Sequence, residues 1–293
     1  MKPFHLIAAA AVLAPALAAG AAQAAPRVEI KDAIARVVVI PEDRADIVVA
    51  ITDDRSGLEA LEVTRHGDLV RIDGGLRHRL NNCDGAGGNG NVVSPTEPDS
   101  NITIQVRGRD RVRLADAPLV TIRTPRNVDV NANGAVFGAV GRSANASVGS
   151  GGCGDWTIGN VEGRLEIAVG GSGDVRAGTA GDLEIAIGGS GDVRTGPARS
   201  AEVSIGGSGD VQVARIDGGA IEVAIGGSGD VAFEGGRSSA MDVSIAGSGD
   251  VRFAGVAGSL EAAIVGAGDI QVNEVTGNVS RSIMGAGDIR VGR

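Results

Sequence analysis

The sequence predicts an all-β chain, a parallel β-helix (solenoid) with coils of about nineteen residues behind an irregular β-rich N-terminal segment; three observations predict it. The pentapeptide Gly-Gly-Ser-Gly-Asp and close variants return through the second half. Its closing aspartates are Asp155, Asp174, Asp192, Asp210, Asp230, Asp250, Asp269 and Asp288, spaced by 19, 18, 18, 20, 20, 19 and 19 residues. On both sides of this corner apolar residues alternate with polar or small ones, the period-two signature of half-buried strands. Finally, 48 glycines with one Trp and no Tyr argue against helices, which glycine destabilises.

In chain order, residues 1–25 read as a signal peptide. Lys2 precedes an apolar, Ala-rich run from Leu6 to Ala19, and Ala22-Gln23-Ala24 supplies the small residues a signal peptidase needs, which places cleavage after Ala24 or Ala25. The run is too short to remain as a membrane span, and no later stretch approaches the ~20 apolar residues of a spanning helix. The mature chain is therefore expected to be exported and soluble, periplasmic or outside the cell, with no transmembrane segment. Its formal net charge of −9, one unit more negative without Lys2, excludes nucleic acid as the natural partner.

Residues 26–126 do not repeat. Strand-like runs stand at Arg36–Ile40, Ala45–Thr52, Leu69–Asp73, Asn101–Arg107 and Val120–Arg123, and the stretch 81–100, loaded with Gly, Asn, Pro and Asp, reads as a long loop. This part is expected to form an N-terminal cap or a set of irregular first coils. Cys83 and Cys153 are the only cysteines; in an oxidising compartment they would form a disulfide, with two free thiols as the alternative, since spacing does not say whether they meet.

Residues 127–293 carry the solenoid. Aligned on the aspartate, the repeats expose apolar columns, the first being Leu165, Leu183, Ala201, Ile221, Met241, Leu260 and Val279. After the corner comes a second, Val175, Val193, Val211, Val231, Val251, Ile270 and Ile289, and a weaker third holds Val161, Ala180, Ala198, Ile216, Val256 and Val275. One repeat is thus one coil. A lone coil buries too little apolar surface to offset the ordering of its backbone, whereas stacked coils share a core and a ladder of hydrogen bonds. Propeller blades need ~40–45 residues, which excludes that architecture. In the last coil Arg281 replaces an aliphatic residue, a charge suited to an edge.

The iterated Ile/Val-Gly-Gly-Ser-Gly-Asp-Val corner, preceded by Gly67-Asp68-Leu69-Val70-Arg71-Ile72, resembles the putative auto-transporter adhesin, head GIN domain family. The resemblance implies a right-handed β-helix in an exported bacterial protein and a role in surface adhesion. It brings no catalytic residues with it.

Among the columns that could carry chemistry, the aspartates are the sharpest. In-register coils would stack carboxylates ~4.8 Å apart, repelling by ~1 kcal/mol in water. Either Asp174, Asp192, Asp210, Asp230, Asp250, Asp269 and Asp288 hold calcium between coils, or each accepts hydrogen bonds from backbone amides of the corner, with charge relief from Arg176, Arg194, Arg252 and Arg290. Ser172, Ser190, Ser208, Ser228 and Ser248 suit a hydroxyl ladder better than nucleophiles, because no base stands near them. An outward column of Glu166, Glu184, Glu202, Glu222, Asp242 and Glu261 runs beside one of Ala168, Ala186, Ser204, Ala224, Ser244 and Ala263, a flat strip that could dock an envelope or extracellular polymer or protein. A polysaccharide-active enzyme is the fold-level alternative. Such sites need stacking aromatics and clustered acids, and the mature chain offers only Phe137, Phe233, Phe253 and Trp156, so no catalytic residue and no cofactor is expected. No Gly-Lys-Ser/Thr follows any corner, which removes the phosphate-cradling reading.

Overall fold

The computed structural model describes residues 26–77, 80–84, 94–98 and 101–292. The expected signal peptide, His78 and most of the 81–100 segment lie outside them. The rest is a parallel β-solenoid of about nine turns, some nineteen residues apart.

The columns read from the sequence are the ladder itself. Leu165 pairs with Leu183, then Ala201, Ile221, Met241, Leu260 and Val279 in turn. On the second side Val175, Val193, Val211, Val231, Val251, Ile270 and Ile289 follow one another in the same way. Apart from Val279, which is exposed in the last coil, their side chains point inward and form one continuous core, in which Phe233 and Phe253 meet edge to face at 6.1 Å. On the third side the expectation holds for Val161, Ala198 and Ile216 but slips at Val256. The register shifts between Phe253 and Val256, so that Ala257 rather than Val256 pairs with Val275 and is buried. A one-residue slip turns every following side chain to the other face.

The parallel ladder does not begin at Asn127. Arg27–Glu42 is itself part of the wall, pairing in parallel with Leu69–Asp73, Leu119–Pro125 and Asn127–Val140. Val48–Thr52 and Glu62–His66 add antiparallel edges to Leu119–Pro125 and Leu69–Asp73. These are irregular first coils, one of the two arrangements expected here; excursions interrupt them, so no residue-for-residue repeat survives. The other departure is at 81–84: these residues belong to the strand Leu80–Asp84, which pairs antiparallel with Thr103–Val106, itself paired with Val112–Arg113.

This small sheet packs on the outside of the solenoid. Ile34 and Phe137 turn outward to meet Ile102, Ile104, Val106 and Leu114, which explains why Ala33 to Val37 are buried on consecutive positions. Arg36 lies within that run; its Nε donates to the Ala117 carbonyl at 2.9 Å. A disulfide between Cys83 and Cys153, with Cα atoms 6.0 Å apart, ties the sheet to the first corner of the repeat. At the far end Arg281 stands beside Ala262, exposed as an edge charge would be.

Candidate binding face

Each repeat presents a strand, then a corner, and the two carry different chemistry. Along the strand, alternation sends Leu183, Ile185 and Ile187 into the core and Glu184 and Ala186 outward. Because pairing is in register, the outward residues stack into columns. Glu166, Glu184, Glu202, Glu222, Asp242 and Glu261 form one unbroken file, and Ala168, Ala186, Ser204, Ala224, Ser244 and Ala263 form the next. The acidic file is countered locally by Arg164, which pairs with Glu184 across a coil. At its N-terminal end it continues through Ser147 to Asp129. Burial pushes the Asp129 carboxyl above the usual carboxylate range, against Arg27 and with Glu166.

The corner is shaped by glycine. A Cβ on Gly227 would lie 1.9 Å from the Gly207 carbonyl oxygen, and one on Gly229 would lie 2.1 Å from that of Gly209. The backbones therefore approach more closely than any side chain allows. The price of this approach is an unmatched amide at each aspartate, and the aspartates themselves answer it. The Asp192 N–H donates to Asp174 Oδ1 at 2.9 Å, and the same bond recurs from Asp210 to Asp192, Asp230 to Asp210, Asp250 to Asp230, Asp269 to Asp250 and Asp288 to Asp269, at 2.7–2.9 Å. At the start of the series Asp174 donates to the buried Asp155 at 3.0 Å. The acceptor thus serves the aspartate of the next coil, not the glycines of its own corner.

Cations reach only part of this file. Arg290 pairs with Asp288 and Asp269, and Arg194 lies 3.9 Å from Asp192. No cation among the described residues stands within ion-pair reach of Asp210, Asp230 or Asp250. No three His, Cys, Asp or Glu side chains gather into a metal-binding group among them either. The serine position does not form the expected hydroxyl ladder. Ser172 to Ser248 face solvent, and it is their backbone amides that cross between coils, as from Ser190 to the Gly171 carbonyl at 2.9 Å.

Asp210→Ala should leave the Asp230 amide without its acceptor and lose about 1–3 kcal/mol of stability. Asp210→Asn keeps the Oδ1 acceptor and removes one like charge, so its urea midpoint should equal or exceed that of the parent chain. Equal losses in both variants would mean that charge, not the hydrogen bond, is what the position supplies.

Among the described residues no helix is long and apolar enough to cross a membrane. No curated protein matches the chain. Among solved structures, it is similar to a putative lipid binding protein from Parabacteroides distasonis, with 17% identity, 92% of this chain and 93% of that chain covered, and a TM-score of 0.46. It is also similar to a putative adhesin from Bacteroides fragilis, with 16% identity, 91% of each chain covered and a TM-score of 0.42. Residues 194–292, which hold the corners from Asp210 to Asp288, match the model of the putative auto-transporter adhesin, head GIN domain family, the family that the corner repeat resembles.

Proposed function

We propose that this chain is a non-catalytic, exported β-helical protein that presents its repeated lateral face for binding or adhesion, in the cell envelope or outside the cell. The observation that carries the reading is the in-register acidic file from Glu166 to Glu261 beside a file of Ala and Ser, six positions each with no bulky side chain to interrupt contact. A rigid row of carboxylates at the ~4.8 Å coil spacing fits a partner with repeated cationic groups, and its field adds along the row. The match to an adhesin head family supports the same reading. Replacing Glu184, Glu202 and Glu222 together by Gln should reduce retention of the purified protein on envelope and matrix fractions and flatten its salt dependence. Unchanged retention at every salt concentration would overturn this use of the face.

A calcium-stabilised solenoid is the second reading, favoured by Asp210, Asp230 and Asp250, which stand in single file without a cation partner. A ligand that binds only the folded state raises the melting midpoint. Under this reading millimolar calcium raises the midpoint over that in EDTA, and Asp230→Asn removes the difference; an unmoved midpoint leaves the aspartates as backbone acceptors alone.

A further inference from the structure

The face changes character at its N-terminal end. From Ala168 onward the small-residue column carries Ala or Ser, but one coil earlier it carries Gly149, while Gly151 begins a glycine column that runs on through Gly170, Gly188, Gly206 and Gly226. Gly151 and, in the next coil, Gly170, both exposed, floor a groove of about 470 Å³ that Gly149 also lines. Its wall on one side is Glu29, Lys31 and Asp32, where the strand bulges between Ile30 and Ala33 and Asp32 takes a positive φ of 47°. Between that wall and the floor, on the strand that pairs with both, stand Asn131 and Asn133, and Asn131 lies over Gly149, which is buried. A Cβ on Gly149 would lie 2.2 Å from Asn131 Oδ1, and one on Gly151 would lie 3.2 Å from Asn133 Nδ2.

Two features of the lining select a ligand. First, it is rich in groups that both donate and accept. The Asn131 amide nitrogen donates to Asp129 Oδ1 at 3.1 Å, which fixes its carbonyl over the floor, while the Asn133 amide has no hydrogen-bond partner among the described residues. Second, the charges cancel. Lys31 and Arg71 each lie 2.9 Å from Glu29, so that two cations stand against Glu29 and Asp32, the two carboxylates of the wall. The burial that would push Glu29 up is overcome by the hydrogen bonds from Lys31 and Arg71, which keep its carboxyl ionised below the usual range. The rest of the face has no such balance.

We propose that this groove is a binding site for a short, neutral, polyhydroxylated ligand, an oligosaccharide segment. Its volume lies within the ~300–1,000 Å³ of small-ligand sites. The exposed Gly151 and Gly170 leave room for a sugar ring against the sheet, and amide and carboxylate groups, rather than the stacking aromatics of a polysaccharide-cleaving site, answer its adjacent hydroxyls, each of which donates and accepts. Charge cancellation removes the preference for a cationic partner that the remainder of the face carries. The site is separate from the acidic file, and the two proposals stand or fall independently.

The test uses the mature protein with maltotetraose, cellotetraose, chitotetraose and mannotetraose as probes at millimolar concentration, read by amide chemical shifts. At least one probe should shift the amides of Gly149, Gly151 and Gly170. Gly170→Leu should weaken that binding by about tenfold or more, equivalent to about 1.4 kcal/mol. The nearest atom to a Cβ at Gly170 is 3.9 Å away, and the same column holds Val265 and Met284 in later coils, so the substitution fills the groove without straining the corner. Gly188→Leu, one coil on, is the control and should bind as the parent does, while Asn133→Ala should weaken binding without filling space. The proposal is overturned if none of the four probes shifts these amides, or if Gly170→Leu binds like Gly188→Leu. Retention of Gly170→Leu on envelope fractions reports on the acidic file alone: normal retention with lost tetrasaccharide binding supports the groove, and intact tetrasaccharide binding in the triple Gln variant, with retention lost, keeps the two sites apart.

Discussion

Gly227→Ala is expected to lose about 3–5 kcal/mol of stability, while Gly226→Ala, one residue away, should change it by less than ~0.5 kcal/mol. The two glycines are neighbours in one corner and differ in what lies beneath them. The nearest atom to a Cβ at Gly226 is a carbonyl oxygen 3.9 Å away, whereas at Gly227 it is the Gly207 oxygen at 1.9 Å. That oxygen belongs to the backbone of the coil below and accepts the Ser228 amide at 3.0 Å, so no rotamer change relieves the clash. The corner has to open, and with it the hydrogen bonds that hold adjacent coils. Because a solenoid is coupled mainly between neighbours, the damage should appear as a split urea transition, with the coils before and after the break unfolding separately. The chain already contains the control: the column of Gly226 becomes Ala246, Val265 and Met284, while that of Gly227 stays glycine through Gly247, Gly266 and Gly285. A Gly227→Ala variant as stable as Gly226→Ala would show that the corners are loose.

Replacing both Cys83 and Cys153 by Ser should cost about 2–4 kcal/mol, with the loss concentrated in the small outer sheet. The bridge closes a separation of 70 residues, for which the chain-entropy model gives ~4 kcal/mol before any residual structure of the unfolded chain is counted. What it secures is the packing of Ile102, Ile104 and Val106 over Ile34 and Phe137. Hydrogen exchange offers the sharpest check. Amides of Thr103–Val106 should lose protection in the variant while those of Leu183–Ile187, deep in the stacked coils, keep theirs. A uniform loss along the chain would mean that the outer sheet and the solenoid unfold as one unit.

Much of this was legible beforehand, for reasons visible at individual residues. In a parallel ladder with a short repeat, residues one period apart must be neighbours, so the column from Leu165 to Val279 is both a sequence alignment and a list of spatial pairs. The same logic located the acidic and small-residue files. It failed where the period breaks: at Val256, displaced from the column by a register shift, and across residues 27–126, where Arg27–Glu42 meets partners from three separate stretches. The strand Leu80–Asp84 was missed because Asn81 and Asn82 read as turn residues, and it is the apolar cluster around Leu80 and Cys83 that holds the segment in a sheet.

The sequence by itself determined the coil, its length and the stacked columns on the two regular sides, because periodicity transfers directly into in-register pairing. Only the tertiary structure decided what the aspartates do, since their acceptor serves an amide in the next coil that no local pattern reveals. It alone brought Gly149 and Gly151 beside Asn131 and Glu29 to make a groove, because Glu29 and Asn131 become neighbours across a hundred residues of chain through pairing that carries no repeat.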